Sequence, residues 1–141
     1  MSLSIRSATS DDLHAILAID DYCRTHPERK KAIERWIGSG ACYVAIVDGN
    51  VVGYAALEYS FYDNGFIAML TTTTDHRRQG IGTALVRHIE SVCMTPKLFT
   101  STNESNKPMQ ALLAKLGYQP SGIIENLDEG DAELVYVKRV P

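Results

Sequence analysis

Apolar and polar positions over the first forty residues predict one strand followed by two helices. Residues 3–8 alternate between apolar and polar side chains, as in a half-buried strand. Thr9 precedes Ser10 and two aspartates, a composition that suits a helix start, where side-chain oxygens and negative charge are favourable. A second helix is predicted from Pro27, which fits a first helical turn, to the glycines at 38–40.

The middle of the chain predicts three strands and a third helix. Residues 41–47 and 51–59 are apolar runs on either side of Asp-Gly-Asn, a strong hairpin pattern. A turn at residues 63–65 leads into the strand 65–73. Apolar residues at helical spacing then follow from Gly80, and Pro96 stops that helix.

The last third predicts a strand, a helix and a final hairpin. The strand covers residues 97–101, and the helix runs from Asn106 to Gly117, a residue suited to a left-handed helix end. Strands at 118–126 and 133–140 flank an acidic turn. The order β-α-α-β-β-β-α-β-α-β-β predicts an α/β fold over residues 1–141. We expect a single domain with a mixed, mostly antiparallel sheet flanked by helices.

Composition and charge narrow the classes of function. The 141 residues are 45% hydrophobic and 22% charged, with a formal net charge of −3, so a broad basic surface for nucleic acid is not expected. No apolar stretch is long enough for a bilayer, and the first residues lack a signal-peptide pattern. Three widely spaced cysteines are typical of reduced thiols. We therefore expect a cytoplasmic protein with no membrane partner and no metal.

The segment TTTTDHRRQGIGTAL, residues 71–85, carries the candidate chemistry. Gly80 and Gly82 open a predicted helix, where unpaired amides and the helix dipole attract anions, and small side chains permit close approach. Arg77 and Arg78 add positive charge, so the segment suits phosphate or pyrophosphate. A P-loop lysine is missing, and Leu85 stands where a dinucleotide motif has glycine or alanine. A plain tight turn is the alternative.

The spacing Arg77-x-x-Gly80-x-Gly82 resembles the acyl-CoA pyrophosphate loop of the GNAT superfamily of N-acetyltransferases. A second stretch matches that family's other signature, a helix opened by asparagine and ended by glycine and an aromatic residue: Asn106, Leu112 and Gly117-Tyr118. The element order matches over nearly the whole chain. The resemblance implies an acyl-CoA N-acyltransferase fold and acetyl-CoA as co-substrate.

The resemblance also implies which residues bind the cofactor. The strand before the loop would pair with the pantetheine amides, main-chain N–H groups of the loop would hold the pyrophosphate, and two asparagines would lie near the pantetheine arm. These residues are Leu70, Thr71 and Thr72; Arg77, Arg78, Gln79, Gly80, Ile81, Gly82 and Thr83; and Asn103 and Asn106. Thr72 and Thr74 depart from the aliphatic residue and the proline that the family usually has there. A helix N-cap is the structural alternative for Asn106.

The chemistry that the resemblance implies is direct acetyl transfer from the thioester to a neutral primary amine. A carboxylate would take the amine proton, and a main-chain N–H at Leu70 to Thr72 would meet the oxyanion. The family's usual acid, a tyrosine, is Leu113 here, and its usual glutamate falls on Ala68 or Met69. We select Glu58 and Glu129 as catalytic candidates from a group that also contains Asp63 and Asp128. Exposed carboxylates without a role are the alternative.

The sequence also suggests which amine acceptor and which partners to expect. Tyr59, Phe61 and Tyr62 next to Glu58 suggest a pocket for a cationic amine, either a small molecule or a protein amine, with ordinary packing as the alternative. The missing acid and base keep open a non-catalytic acyl-CoA-binding or sensing module, and the anion site keeps open a nucleotide-binding protein. An exposed last strand would pair with a second copy, so a homodimer is a further expectation.

Overall fold

The computed structural model describes residues 2–141, which form seven strands and four helices. The strands are β1 (Leu3–Ser7), β2 (Cys42–Val47), β3 (Asn50–Phe61), β4 (Asn64–Thr72), β5 (Lys97–Asn103), β6 (Gln119–Asp128) and β7 (Asp131–Arg139). The helices are α1 (Leu13–Ile19), α2 (Pro27–Ser39), α3 (Ile81–Val92) and α4 (Lys107–Lys115). Short 3₁₀ turns at Ser10–Asp12, Asp21–Arg24 and Thr74–His76 complete the list. The element order is the one that the hydrophobic pattern predicts.

The strands follow the order β1-β2-β3-β4-β5-β7-β6 in the sheet. β4 and β5 run parallel, whereas the pairs β1/β2, β2/β3, β5/β7 and β6/β7 are antiparallel. This confirms the predicted α/β fold with a mixed, mostly antiparallel sheet. The expectation that the last strand is exposed at an edge is wrong, because β7 lies between β5 and β6. A strand order that departs from chain order places β6 at the edge instead.

Two hairpin turns use left-handed backbone. Asp48 and Gly49 have φ values of 50° and 84°, so a two-residue turn joins β2 to β3 as predicted. Between β3 and β4 the left-handed residues are Tyr62 and Asp63, with φ values of 52° and 64°. The turn therefore comes earlier than predicted, because Asn64 already belongs to β4 and neither central residue is a glycine.

The chain divides into two compact units. The first comprises the residues up to Leu57 together with Met69–Ile89. Mostly aliphatic side chains from its helices and strands form the core, and the largest fully buried side chains are Tyr54, Ile16, Ile33, Ile81, Leu85, Ile89, Val44, Val86 and Cys42. α2 has Pro27 in its first turn and ends at Gly40, whose φ of 77° is left-handed, as the sequence predicts.

The second unit comprises Glu58–Ala68 and Glu90–Pro141. Its core includes Leu98, Leu113, Leu116, Tyr118, Val135 and Tyr136. Phe61 stacks on Phe66 with ring centroids 5.0 Å apart and lies 5.1 Å from the ring of Phe99. α4 ends just before Gly117, whose φ is 91°, so the predicted left-handed helix end is confirmed. The prediction of one domain over residues 1–141 remains a prediction.

A bidentate ion pair in the first unit makes stability depend on pH. Both terminal nitrogens of Arg6 donate to the Asp12 carboxylate, at 2.7 and 2.9 Å, and the Thr9 N–H donates to it at 2.8 Å. These donors, chiefly Arg6, hold the pKa of the Asp12 carboxyl below its usual range despite the opposing effect of burial. A carboxyl with a lowered folded-state pKa stabilises the fold above its unfolded pKa of about 3.9.

We therefore expect the free energy of unfolding to fall as pH drops below about 4 towards the folded-state pKa of Asp12. Asp12→Asn removes this titration, so part of the slope should disappear. Urea denaturation at a series of acidic pH values measures it. The neighbouring Asp11 is exposed, and Asp11→Asn serves as the control. An equal loss of slope in both variants would contradict a specific role for Asp12.

Candidate active site

The path from β4 to α3 is held by hydrogen bonds within the first unit. The Thr73 N–H donates to the Val52 carbonyl at 2.8 Å, which ties the end of β4 to β3. The Thr73 hydroxyl lies 2.9 Å from Nδ1 of His76, and the His76 N–H donates back to the Thr73 carbonyl at 3.1 Å. His76 therefore has a local structural partner, and the loop leaves the strand in a defined direction.

Several main-chain N–H groups without acceptors lie at the start of α3. Arg78 and Gly80 have left-handed φ values of 66° and 82°, and the Gly80 carbonyl accepts the first helical hydrogen bond, from the Ala84 N–H at 3.0 Å. The N–H groups of residues 78–83 donate no hydrogen bond to any other residue within the described range 2–141. The structure therefore places this predicted loop at a helix N-terminus with its amide donors available.

The side chains around these amides add positive charge. Arg77, Arg78 and Gln79 are exposed, and neither arginine forms an ion pair with an acidic residue of the described chain. A helix N-terminus with free amides and two unpaired guanidinium groups is chemically suited to a doubly charged diphosphate. Gly80 needs no side-chain space, since nothing lies within 4 Å of a Cβ placed there, but its backbone conformation favours glycine.

Gly53 on β3 packs against both the end of β4 and the first turn of α3. The sequence analysis did not select it as a functional residue. A Cβ at Gly53 would lie 2.9 Å from the Thr71 carbonyl oxygen, 3.1 Å from Cγ2 of Ile81 and 3.3 Å from Cδ1 of Leu85. The absent side chain lets β3 approach both the end of β4 and the first turn of α3. An isolated glycine within an apolar strand is the sequence pattern that indicates such an approach.

We expect Gly53→Val to displace the end of β4 and the start of α3 together. Overpacking of this kind typically costs about 1–3 kcal/mol, and the amides of residues 78–83 would lose their alignment. Thermal unfolding and CoA binding by calorimetry measure the two effects. Gly38→Ala is the control, because a Cβ at Gly38 has nothing within 4 Å. Unchanged CoA affinity in Gly53→Val would show that this packing does not position the loop.

A buried polar cluster contacts Met69 of β4, and no pattern in the sequence indicated it. The Asp20 carboxylate, 5% exposed, accepts hydrogen bonds from Arg29 at 2.9 Å, from the Tyr54 hydroxyl and from the Tyr22 N–H at 3.2 Å. Arg29 also lies 4.4 Å from the centre of the Tyr22 ring and 3.7 Å from the Met69 sulfur. Burial and the hydrogen bond to Asp20 raise the pKa of the Tyr54 hydroxyl, which stays protonated.

The remaining candidate residues lie on separate elements of the second unit. Glu58 is half-buried towards the end of β3, and Glu129 is exposed in the turn between β6 and β7. Asn103 donates from Nδ2 to Asp128 at 2.9 Å. The side-chain oxygen Oδ1 of Asn106 accepts a hydrogen bond from the Met109 N–H at 3.2 Å, so Asn106 is the N-cap of α4. The N-cap role expected as the structural alternative for Asn106 is therefore present, and its side-chain N–H groups donate no hydrogen bond to any residue within 2–141.

The residue at the family's acid position and two of the aromatic residues near Glu58 are engaged in packing or hydrogen bonds. Leu113, where the family often has tyrosine, is 1% exposed and belongs to the core of the second unit. Phe61 packs against other aromatic rings, and the Tyr59 hydroxyl accepts a hydrogen bond from the Met94 N–H at 3.1 Å. Tyr62 is 84% exposed. Of these aromatic residues, Tyr62 alone presents most of its surface to solvent.

Comparison with known proteins agrees with this geometry. The family model described as Acetyltransferase (GNAT) family matches residues 11–118. An uncharacterized N-acetyltransferase of Methanocaldococcus jannaschii is 27% identical over 97% of this chain and 92% of its own length. A GNAT-family acetyltransferase structure from Bacillus cereus shares 32% identity and a TM-score of 0.94, covering 100% of this chain and 99% of that one.

A Bacillus anthracis acetyltransferase in complex with acetyl coenzyme A has the same fold, with a TM-score of 0.84 at 16% identity and full coverage of both chains. The family match covers most of the chain, so the chain belongs to the GNAT acetyltransferase family and is an acyltransferase. Within residues 2–141, no helix combines the length and apolar character needed to cross a membrane.

Proposed function

We propose that the protein is an N-acetyltransferase that moves an acetyl group from acetyl-CoA to a primary amine by direct attack in a ternary complex. The observation that carries the proposal is the row of available N–H groups at residues 78–83, beside two unpaired arginines. Such a row recognises a diphosphate, the group that links the pantetheine arm of CoA to its adenosine. Leu70, Thr71 and Thr72 would pair with the pantetheine amides, and Asn103 and Asn106 would contact the pantetheine arm.

The reaction needs a neutral amine. A lysine-like amine has an ordinary pKa of about 10.4, so a base must accept its proton before or during attack. The amine nitrogen forms a bond to the thioester carbonyl carbon, and a main-chain N–H of Leu70 to Thr72 stabilises the resulting oxyanion. The carbon–sulfur bond then breaks, and the CoA thiolate takes up a proton. The products are an amide and free CoA.

Glu58 is the first candidate for the base and Glu129 the second. Glu58 lies on a strand and is half-buried, so its position is more closely defined than that of an exposed turn residue such as Glu129. The exposed Tyr62 and Asp63, which directly follows it, favour a cationic acceptor, either a small amine or an amine of a protein. Leu113 cannot protonate the thiolate, so water would supply that proton.

Release of free thiol tests the proposal. The protein is incubated with acetyl-CoA and a panel of small amines and peptide N-termini, and thiol is followed with a chromogenic disulfide. We expect amine-dependent turnover, with kcat reduced by at least about tenfold in Glu58→Gln and the loss relieved in part at high pH. Glu34→Gln, on the exposed side of α2, is the control.

The thiol assay, together with a measurement of CoA binding, separates acetyl transfer from a binding or sensing function. Tight CoA binding without turnover on any amine would contradict acetyl transfer and favour a non-catalytic acyl-CoA module. An unchanged rate in Glu58→Gln would exclude Glu58 as the base, and Glu129→Gln would then be the next variant. Competition of ATP with CoA on equal terms would instead indicate a nucleotide site.

A further inference from the structure

A groove in the second unit crosses β5, β7 and the start of β6. Its volume is about 610 Å³, a size that suits a small molecule. The strand register arranges its lining in two rows. Phe99, Val137 and Gln119 are direct partners across the three strands, and Lys97, two residues before Phe99, is the partner of Arg139. Both rows lie on the same face of the sheet, because residues two apart on a strand share a face.

The row formed by Lys97 and Arg139 places two positive charges side by side. Both residues are exposed, and neither forms an ion pair among residues 2–141. Like charges directly opposite each other on neighbouring strands are destabilising. The chain has a net charge of −3 and 17 acidic residues, yet none of these acids neutralises the pair. A bound anion would remove the repulsion.

The groove offers a ligand two free positive charges and no negative charge. None of the described residues that line it is acidic. Lys138 also belongs to the lining, but its Nζ donates to the Glu90 carboxylate at 3.0 Å and lies 5.5 Å from the centre of the Tyr118 ring. Its charge is therefore already compensated, and the charge left for a ligand is that of Lys97 and Arg139.

The neighbouring row adds apolar surface to the groove. Phe99 and Val137 are half-buried, so part of each side chain remains accessible. The Phe99 ring lies 5.1 Å from the ring of Phe61, which holds it in place. Gln119 and Ser121 on β6 are exposed and supply an amide and a hydroxyl group for hydrogen bonds. The groove therefore suits a ligand with a flat apolar body and a negatively charged head.

This groove is separate from the asparagines that would contact the pantetheine arm. Lys97 is the first residue of β5 and Asn103 is the last. A strand rises about 3.3 Å per residue, so about 20 Å separates these two residues along β5. The groove therefore lies at the opposite end of the strand from Asn103.

We propose that the groove binds a small molecule that carries a phosphomonoester on an aromatic or other flat apolar group. A phosphomonoester has a charge of about −1.5 to −2 at neutral pH, and its three terminal oxygens accept hydrogen bonds from both cations. A carboxylate has a single charge and would leave one cation uncompensated. The apolar body of the ligand would cover Phe99 and Val137. The proposal concerns only the second unit and does not depend on acetyl transfer.

A residue-resolved NMR titration of the isotope-labelled full chain tests the proposal, with phenyl phosphate as the probe in about 0.15 M salt. We expect saturable shifts of the amide signals of the groove residues. Inorganic phosphate has the charge without the ring, and phenol has the ring without the charge. Each should bind the groove at least about tenfold more weakly than phenyl phosphate, because each makes only one of the two sets of contacts.

A pair of double variants tests the two cations. Lys97→Gln with Arg139→Gln should raise the dissociation constant of phenyl phosphate at least about tenfold. The variant loses a like-charge contact, so its thermal unfolding midpoint should equal or exceed that of the native chain. Lys30→Gln with Lys31→Gln is the matched control, because these exposed residues of α2 lie outside the groove and the same charge is removed. Its dissociation constant should stay within about twofold of the native value, since salt screens distant surface charges.

Several results would overturn the proposal. One is a titration in which the groove amides show no saturable shift, or in which only the amides at the start of α3 respond. Another is equal weakening in the two double variants, which would indicate non-specific attraction. Inorganic phosphate that binds as tightly as phenyl phosphate would show that the apolar row takes no part. A polyglutamate peptide that shifts the groove amides when phenyl phosphate does not would assign the surface to an acidic protein segment instead.

Discussion

Gly82→Val is expected to weaken CoA binding about a hundredfold while the protein stays folded. Gly82 lies in the first turn of α3, among the N–H groups that have no partner within the chain. Branched side-chain atoms at this position would occupy the space through which a diphosphate reaches those amides. Each hydrogen bond to a charged group contributes about 1.5–3 kcal/mol, so losing one or two of them accounts for the size of the effect.

The fold should tolerate this change because valine is no worse than glycine in a helix. Isothermal titration with CoA measures the affinity, and thermal unfolding checks the fold. Gly38→Val is the matched control: Gly38 is also a helical glycine, and a Cβ there meets nothing within 4 Å. If folded Gly82→Val binds CoA as tightly as the native chain does, the diphosphate binds elsewhere and the proposed cofactor site is wrong.

Asp20→Ala is expected to lower the free energy of unfolding by about 3–5 kcal/mol. The variant leaves Arg29, whose side chain is only 22% exposed, without its carboxylate. It also leaves the Tyr54 hydroxyl buried without its acceptor. Removing one member of a buried charged cluster lowers the free energy of unfolding by more than the intact cluster contributes to it. The reason is that the remaining charge stays buried without a partner.

The adjacent residue supplies the control. Asp21 pairs with Arg24 at 3.4 Å, and both side chains are more than three-quarters exposed, at 83% and 78%. Asp21→Ala should therefore cost less than about 1 kcal/mol. Urea denaturation compares the two variants, and Tyr54→Phe in each background measures the coupling to Tyr54. Similar costs for Asp20→Ala and Asp21→Ala would contradict the importance of the buried cluster.

Local features of the fold could be predicted because short-range chemistry determines them. Asp48-Gly49 adopts the left-handed turn that its residue types favour, and Pro27 begins α2. The turn at Tyr62 and Asp63 could not be placed as well, since neither residue type requires left-handed backbone. The edge position of β6 depends on how distant strands pair, and hydrophobic periodicity carries no information about that order.

Some parts of the candidate site could likewise be predicted from the sequence, and others could not. The loop from Arg77 to Thr83 could be found because its residues are consecutive and its spacing is distinctive. The Asp20 cluster joins three separate parts of the chain, so no local pattern indicates it. Gly53 was visible as an isolated glycine in a strand, but its neighbours Thr71 and Ile81 are known only from the fold.

The donors at the start of α3 belong to the polypeptide backbone, which is the same whatever side chains the gene encodes. Substitutions therefore affect these donors only through the shape of the loop, which the left-handed backbone of Arg78 and Gly80 defines. Under the proposed function, substitutions elsewhere in the chain can change which amine is modified and leave these backbone donors intact.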